Sequence, residues 1–374
     1  IYISIIALSF VIRSLRKRDV TWLSFLWVKL VLTFWGVCLL SAAMSSNASY
    51  ALGEALIWIR FPLFAMASAF WLAKDKRLLI LMLISTSVGL LLMCGILAAE
   101  IAVEGVKSRL SWPYNDLVPG NYLAKVGLPV IVFCTALFLS RSGLYSLLSG
   151  GYCLLVIGAT MMTGERINFL ILMCAVLITI VYWEPSWQKR SVFVFMGSLI
   201  PISAFLIFPD IFDRFVVVFL AELPIYADSQ YYRAMAPAWL IFEDFPSLGI
   251  GPGNYRYLCE EIIKPLQSAV ASSHTMPLDL DCHNHPHNFY LQILAETGLV
   301  GFVSFVAFVG SILIQCFRAG AGEKHVLFTT AWIIPFALFW PIKSNADFFG
   351  QWNNIFLWSA VALALSVAHS IPRK

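Results

Sequence analysis

Leu78-Leu-Ile-Leu-Met-Leu-Ile-Ser-Thr-Ser-Val-Gly-Leu-Leu-Leu-Met-Cys-Gly-Ile-Leu-Ala98 carries no charged side chain from end to end. At about 1.5 Å of rise per residue a helix of that length reaches about 30 Å, the thickness of a bilayer's hydrocarbon core, and in lipid a helix satisfies its own backbone groups. The run therefore reads as a membrane-spanning helix. Comparable apolar runs fall near residues 1–12, 22–44, 54–73, 121–140, 146–162, 167–183, 191–208, 288–316, 326–342 and 351–370. Their apolarity is continuous and does not alternate, which excludes a β-barrel. The fold class expected is an all-α integral membrane protein with about 11–12 transmembrane helices and one large periplasmic loop.

Composition agrees. Of the 374 residues 60% are hydrophobic and 12% charged, against roughly 25% charged in an ordinary soluble domain, so a soluble enzyme is excluded. A net charge of +4 on so apolar a chain argues against a nucleic-acid partner. The opening run, Ile1 to Ile12, is shorter than a span and no small-residue cleavage site follows it. It reads as a truncated first helix, not a cleavable signal. Cys38, Cys94, Cys134, Cys153, Cys174 and Cys316 lie in or at the end of apolar runs and read as small buried hydrophobes.

Orientation follows from the short loops, because basic loops stay on the cytoplasmic side. One alternate set carries Arg13, Arg16, Lys17 and Arg18, then Lys74, Lys76 and Arg77, then Arg141, Lys189, Arg190, Arg318, Lys324, Arg373 and Lys374. The opposite set holds Lys107, Arg109, Arg166 and Lys343, with Arg60 and Lys125 just inside neighbouring helices. The basic set and the C-terminus are expected in the cytoplasm. The chain then divides into N-terminal helices (1–208), a periplasmic loop subdomain (209–287) and C-terminal helices (288–374). A structureless connection of that length is improbable in a compact protein, so short helices are expected in it. Tyr231 to Asp244 reads as an amphipathic one, stopped by Phe245-Pro246 and the turn Gly249-Ile250-Gly251-Pro252-Gly253-Asn254. Within the loop, Tyr226, Tyr231, Tyr232, Trp239 and Tyr255 interleave with charges that include Asp228 and Asp279. Cys259 and Cys282, both on this oxidising side, are a candidate bridge.

The densest chemistry is Asp281-Cys282-His283-Asn284-His285-Pro286-His287-Asn288-Phe289-Tyr290. Pro286 holds the chain extended and places His287 and Asn288 at the first turn of a long helix, where the dipole and free N–H groups favour anions. A histidine there suits proton transfer near neutral pH. A polar helix cap and a zinc site using Cys282 are the alternatives. In the short turn Thr163-Gly164-Glu165-Arg166, Arg166 either faces an interior function or pairs with Glu165 or snorkels. Arg60, before Pro62, and Lys29 pose the same choice. Arg233, near an aromatic belt, suits a diphosphate, since a guanidinium binds phosphate oxygens in bidentate fashion, or is a solvated helix face. The Gly249–Asn254 turn lacks the preceding strand and the Lys-Ser/Thr of a nucleotide loop. Arg109, followed by Gly120, is a weak further signal, and the stretch from Lys343 to Asn354 would suit sugar binding or a membrane-interface girdle.

His-Pro-His-Asn-Phe-Tyr-Leu-Gln-Ile-Leu-Ala-Glu-Thr-Gly-Leu-Val-Gly at 285–301, preceded by Phe-Pro-Ser-Leu-Gly-Ile-Gly-Pro-Gly-Asn and by Thr-Gly-Glu-Arg, resembles the O-antigen ligase and O-antigen polymerase superfamily of bacterial envelope glycosyltransferases. The resemblance covers about 160–355. It implies a multi-pass inner-membrane enzyme of lipopolysaccharide biosynthesis, with its active site facing the periplasm. Glycan would pass from undecaprenyl diphosphate to an acceptor hydroxyl, with inversion and without cofactor or required metal. The family's motif histidine falls on His287 as general base, and its arginines fall on Arg166 and Arg233 as diphosphate ligands. Arg60, Arg109 and Asn288 are further candidate substrate contacts. His283 and His285 are extra to the pattern. A ligase would use the lipid A core as acceptor and a polymerase a second lipid-linked glycan; the Arg109–Gly120 spacing echoes some polymerases. A polytopic transporter is the rival of another class. It would place ionisable groups at mid-membrane in paired halves, and here they gather near one face.

Overall fold

The computed structural model describes residues 1–182, 187–223, 229–271, 280–321 and 326–370. Tyr226, Asp228, Asp279, Lys324, Arg373 and Lys374 lie outside these. The described chain is helical, with no strand among the described residues. In order the helices are α1 (Tyr2–Lys17), α2 (Leu26–Met44), α3 (Ala48–Trp58), α4 (Arg60–Phe70), α5 (Lys76–Glu104), α6 (Val118–Lys125), α7 (Gly127–Ser140), α8 (Leu144–Met162) and α9 (Arg166–Tyr182). There follow α10 (Trp187–Ile207), α11 (Pro209–Phe212), α12 (Val218–Ala221), α13 (Gln230–Asp244), α14 (Tyr255–Ala271), α15 (Phe289–Gly320), α16 (Val326–Thr330), α17 (Ile333–Leu338) and α18 (Gln351–His369).

Every apolar run of the sequence is helical, and the protein is an all-α, multi-pass membrane protein. Among the described residues six spans, one of them Ala48–Lys74 with α3 and α4 taken together, or seven if α6 and α7 count as one span bent by 42°, are long and apolar enough to cross a bilayer. That number is smaller than the number of apolar helices for local reasons. α1 has 16 residues and α9 has 17. The last-but-one run is broken between α16 and α17, and α18 opens on the polar Gln351-Trp352-Asn353-Asn354.

Two compact units are present. The first comprises Ile1–Phe64, Leu220–Ser311 and Trp340–Ile355. Its centre is aromatic: Phe34 stacks edge-on to Trp58 at 5.4 Å, and Phe348 meets Phe289 at 5.2 Å and Phe305 at 5.3 Å. Lipid tails are as apolar as these rings, so tight packing and ring geometry, worth about 0.5–1.5 kcal/mol per pair, hold such a centre together. A second cluster lies between α13, α14 and the start of α15, with Ile241, Tyr255, Cys259, Ile263 and Ala295 buried. The long loop is thus folded into helices, and its amphipathic helix runs from Gln230 to Asp244.

The second unit comprises Ala65–Phe219, Ile312–Phe339 and Phe356–Lys374. Its axis is α7, buried along nearly its whole length from Gly127 to Leu139 and packed on α8 and α9. A helix apolar on all sides needs protein or lipid on all sides, and here protein supplies most of it.

Candidate functional site

In the first unit the helix that begins at Phe289 sets the geometry. Asn288 is its cap: its Oδ1 accepts from the N–H groups of Tyr290 and Leu291 at 2.9 and 3.1 Å. Its Nδ2 donates to the carbonyls of Pro341 and Lys343 at 2.8 and 3.3 Å. Both ends of the amide are therefore engaged by backbone. His287 stands just before the cap rather than in the first turn, in the left-handed region at φ 55°, a costly conformation for a side-chain-bearing residue. It is held there from outside, since the Asn345 N–H donates to the His287 carbonyl at 2.7 Å.

The His287 ring lies 4.5 Å from that of His285 and 5.5 Å from that of His283. Burial first, then the two neighbouring imidazoles, push its pKa down to about 4. It is neutral at pH 7, with a lone pair available for a proton. Cys282 is bridged to Cys259, with Cα atoms 5.7 Å apart, so it offers no thiolate and the zinc reading loses its sulfur ligand. The bridge ties α14 to the residues that lead into the histidines.

Arg233, on α13, faces Asp281 at 3.6 Å, and its carbonyl accepts from the Asp281 N–H at 3.1 Å. Arg60 opens α4 at the break after α3 and lays its guanidinium 4.8 Å over the Phe61 ring. Lys29 is exposed near the start of α2.

Sequence reasoning left out of the site a network around Asp347. Arg256 pairs with Asp347, and Gln292 Nε2 donates to Asp347 Oδ1 at 2.6 Å and to Glu296 Oε2 at 3.3 Å. Gln292 Oε1 accepts from the Phe348 N–H at 2.8 Å. These bonds fasten the 341–350 segment to the helix that follows His287. Lys343 in that segment is 4% exposed, and burial lowers its pKa to about 8. The spacing Gln292–Glu296 within one helix is a readable signal; its partnership with Asp347, 55 positions on, is not.

The two glycine-bearing motifs meet one another. The Gly251 N–H donates to the Glu296 carbonyl at 2.8 Å, and the Leu299 N–H donates to the Pro246 carbonyl at 2.8 Å. Gly298, at φ 64° and ψ −167°, kinks α15 there. A Cβ on it would run into the Ser247 backbone, so no other residue fits.

Arg166 and Arg109 belong to the second unit. Arg109 pairs with Glu165 at 3.1 Å, Arg214 Nε donates to the Gly164 carbonyl at 2.9 Å, and Arg166 Nη1 donates to the Arg214 carbonyl at 3.5 Å. Glu165 thus finds Arg109 as its ion-pair partner. Burial raises the Glu165 pKa against the opposing pull of Arg109, Arg214, Lys125 and Arg166. The Arg109–Gly120 pattern also acquires a cause, because a Cβ at Gly120 would collide with the Glu165 side chain.

Residues 151–306 match the family model described as O-antigen ligase. The match contains Arg166, Arg233, His287 and Asn288, and leaves Arg60, Arg109, Lys343 and Asp347 outside. No curated protein matches the chain.

Proposed function

We propose that this protein, whose residues 151–306 match the O-antigen ligase family model, acts as a member of that superfamily and moves a glycan from undecaprenyl diphosphate to a hydroxyl of the lipid A core at the periplasmic face of the bacterial inner membrane. The coarse reading, a glycosyltransferase-like enzyme acting on lipid-linked glycans, follows from the family. The observation that supports a general base for the transfer is His287, kept neutral by its surroundings and fixed at both its carbonyl and the following cap; the donor and acceptor are taken from the resemblance.

In this reading the acceptor oxygen attacks the anomeric carbon as His287 takes the hydroxyl proton. The bond from that carbon to the diphosphate breaks, and the electron pair leaves with the lipid diphosphate. Attack opposite the leaving group inverts the centre. Arg233 and Arg166 are assigned to the diphosphate charge through the resemblance, and each is suited to it by chemistry. His287 stays ready down to about pH 4, at the cost of being a weak base, so charge stabilisation of the departing diphosphate must supply much of the acceleration. The periplasmic orientation and cytoplasmic C-terminus rest on the distribution of Lys and Arg among the loops.

Polymerisation of lipid-linked repeats is the second reading. The feature that pointed to it, the Arg109–Gly120 spacing, is accounted for by the seat of Glu165. The test is complementation of a ligase-deficient strain with wild type, His287→Ala, Arg166→Ala and Arg233→Ala at matched membrane levels, reading both the lipopolysaccharide ladder and the carrier-linked pool. Restoration by wild type, with long chains stranded on the carrier in the His287 variant, supports ligation. Stranded single repeats make the protein a polymerase. Three variants that behave like wild type overturn the transferase mechanism and favour a transporter.

A further inference from the structure

The second unit holds a cavity of about 700 Å³ where α7 turns into α8, with α5 behind it. Its mouth is the turn after α7, where the guanidinium of Arg141 and the hydroxyls of Ser142 and Tyr145 line the opening. All three residues are exposed, and none has a side-chain bond to another described residue. Lys189 adds a second positive charge, since its ammonium reaches the Arg141 carbonyl and lies 3.5 Å from that of Phe138. One turn from these along α7 and α8 the lining is Leu137 and the exposed Leu148, with Ser149, Cys134 and Ser87 also on the wall. The floor is Tyr152, whose hydroxyl donates to the Ser87 carbonyl at 3.0 Å. Tyr152 lies about 12 Å along α8 from Leu144, at about 1.5 Å per residue. The cavity is therefore cationic with free donors at the helix ends, with a leucine wall beside them and Tyr152 beyond.

We propose that this cavity binds one anionic glycerophospholipid, its phosphate on Arg141, Ser142 and Tyr145 and an acyl chain along Leu137 and Leu148. A soluble anion would satisfy the mouth and leave the leucine wall wet. A zwitterionic lipid would bring its own cation beside Arg141 and Lys189. An anionic lipid answers both ends, and Arg141 belongs to the basic set of loops, which face the negatively charged leaflet. The volume lies in the range of ordinary ligand pockets, about 300–1,000 Å³.

The test is native mass spectrometry of the full chain titrated with phosphatidylglycerol or with phosphatidylcholine, with inorganic phosphate as competitor. One phosphatidylglycerol should be retained at least about tenfold more tightly than phosphatidylcholine, and millimolar phosphate should not displace it. Arg141→Ala should weaken retention about tenfold, the loss of one charge-assisted bond. That change leaves the backbone carbonyl that holds Lys189. Leu148→Trp, which fills the cavity from an exposed position, should abolish retention while Arg141→Lys keeps most of it. Equal retention of the two lipids, displacement by phosphate, or Arg141→Ala and Leu148→Trp both behaving as wild type would overturn the proposal.

Discussion

Replacing Cys259 and Cys282 together by alanine opens a loop whose ends are 23 positions apart. On the chain-entropy account, closing a loop of that length restricts the unfolded ensemble by about 11 cal/mol/K, or about 3 kcal/mol at room temperature. Both sulfurs sit against the cluster of Ile241, Tyr255, Ile263 and Ala295, so the two deletions also remove some packing, about 1 kcal/mol more. Neither alanine introduces a buried polar group. If the α13–α14 region opens as a unit, amide protection in α14 and in residues 280–288 should fall by roughly two to three orders of magnitude. Protection in α7, buried in the other unit, should be unchanged. Hydrogen exchange read by mass spectrometry on protein in nanodiscs measures both regions in one experiment. Wild type held in reductant should lose protection in the same peptides. Protection in α14 that stays within about threefold of wild type would refute the claim that the bridge holds this region closed. Loss spread equally over α7 would show that the bridge acts on the whole fold.

Four further outcomes are expected. Transfer activity should keep its acid limb near pH 4, where His287 protonates, and His283→Ala with His285→Ala should move that limb upward, because both imidazoles depress the His287 pKa. Since the unfolded chain takes up this proton at about 6.5 and the folded one does not, the same group makes stability fall as pH drops from about 6.5 toward 4, then level off, which a thermal-melt series across that range checks. Asn288→Ala removes the cap and two bonds to the 341–343 carbonyls, and should cost about 2 kcal/mol by thermal denaturation in detergent, with Asn288→Asp recovering the cap portion. Asp347→Ala removes the Arg256 ion pair and the shorter of the two hydrogen bonds donated by the Gln292 amide and should cost about 2–3 kcal/mol after allowance for the partial exposure of Arg256, seen as a lower melting temperature.

The helices, their membrane setting and the histidine-rich segment before α15 are all legible in the sequence, because each is a local property. An apolar run answers to lipid through its own length, a proline or glycine breaks the chain where it stands, and His283, His285 and His287 are close in space because they are close along the chain. Partners are another matter. Nothing local in Glu165 says that it faces Arg109, 56 positions away, and nothing in Arg256 points to Asp347, 91 positions on. Asn288 reads as a candidate substrate contact, and nothing local in it says that its amide also bonds the carbonyls of Pro341 and Lys343. The Gly249 turn and the Gly298 kink each read as an isolated break until the backbone places one against the other. Hydrogen bonds and ion pairs reach only about 3–4 Å, so which groups come within reach is settled by the packing of elements remote in sequence, and that only the tertiary structure decides.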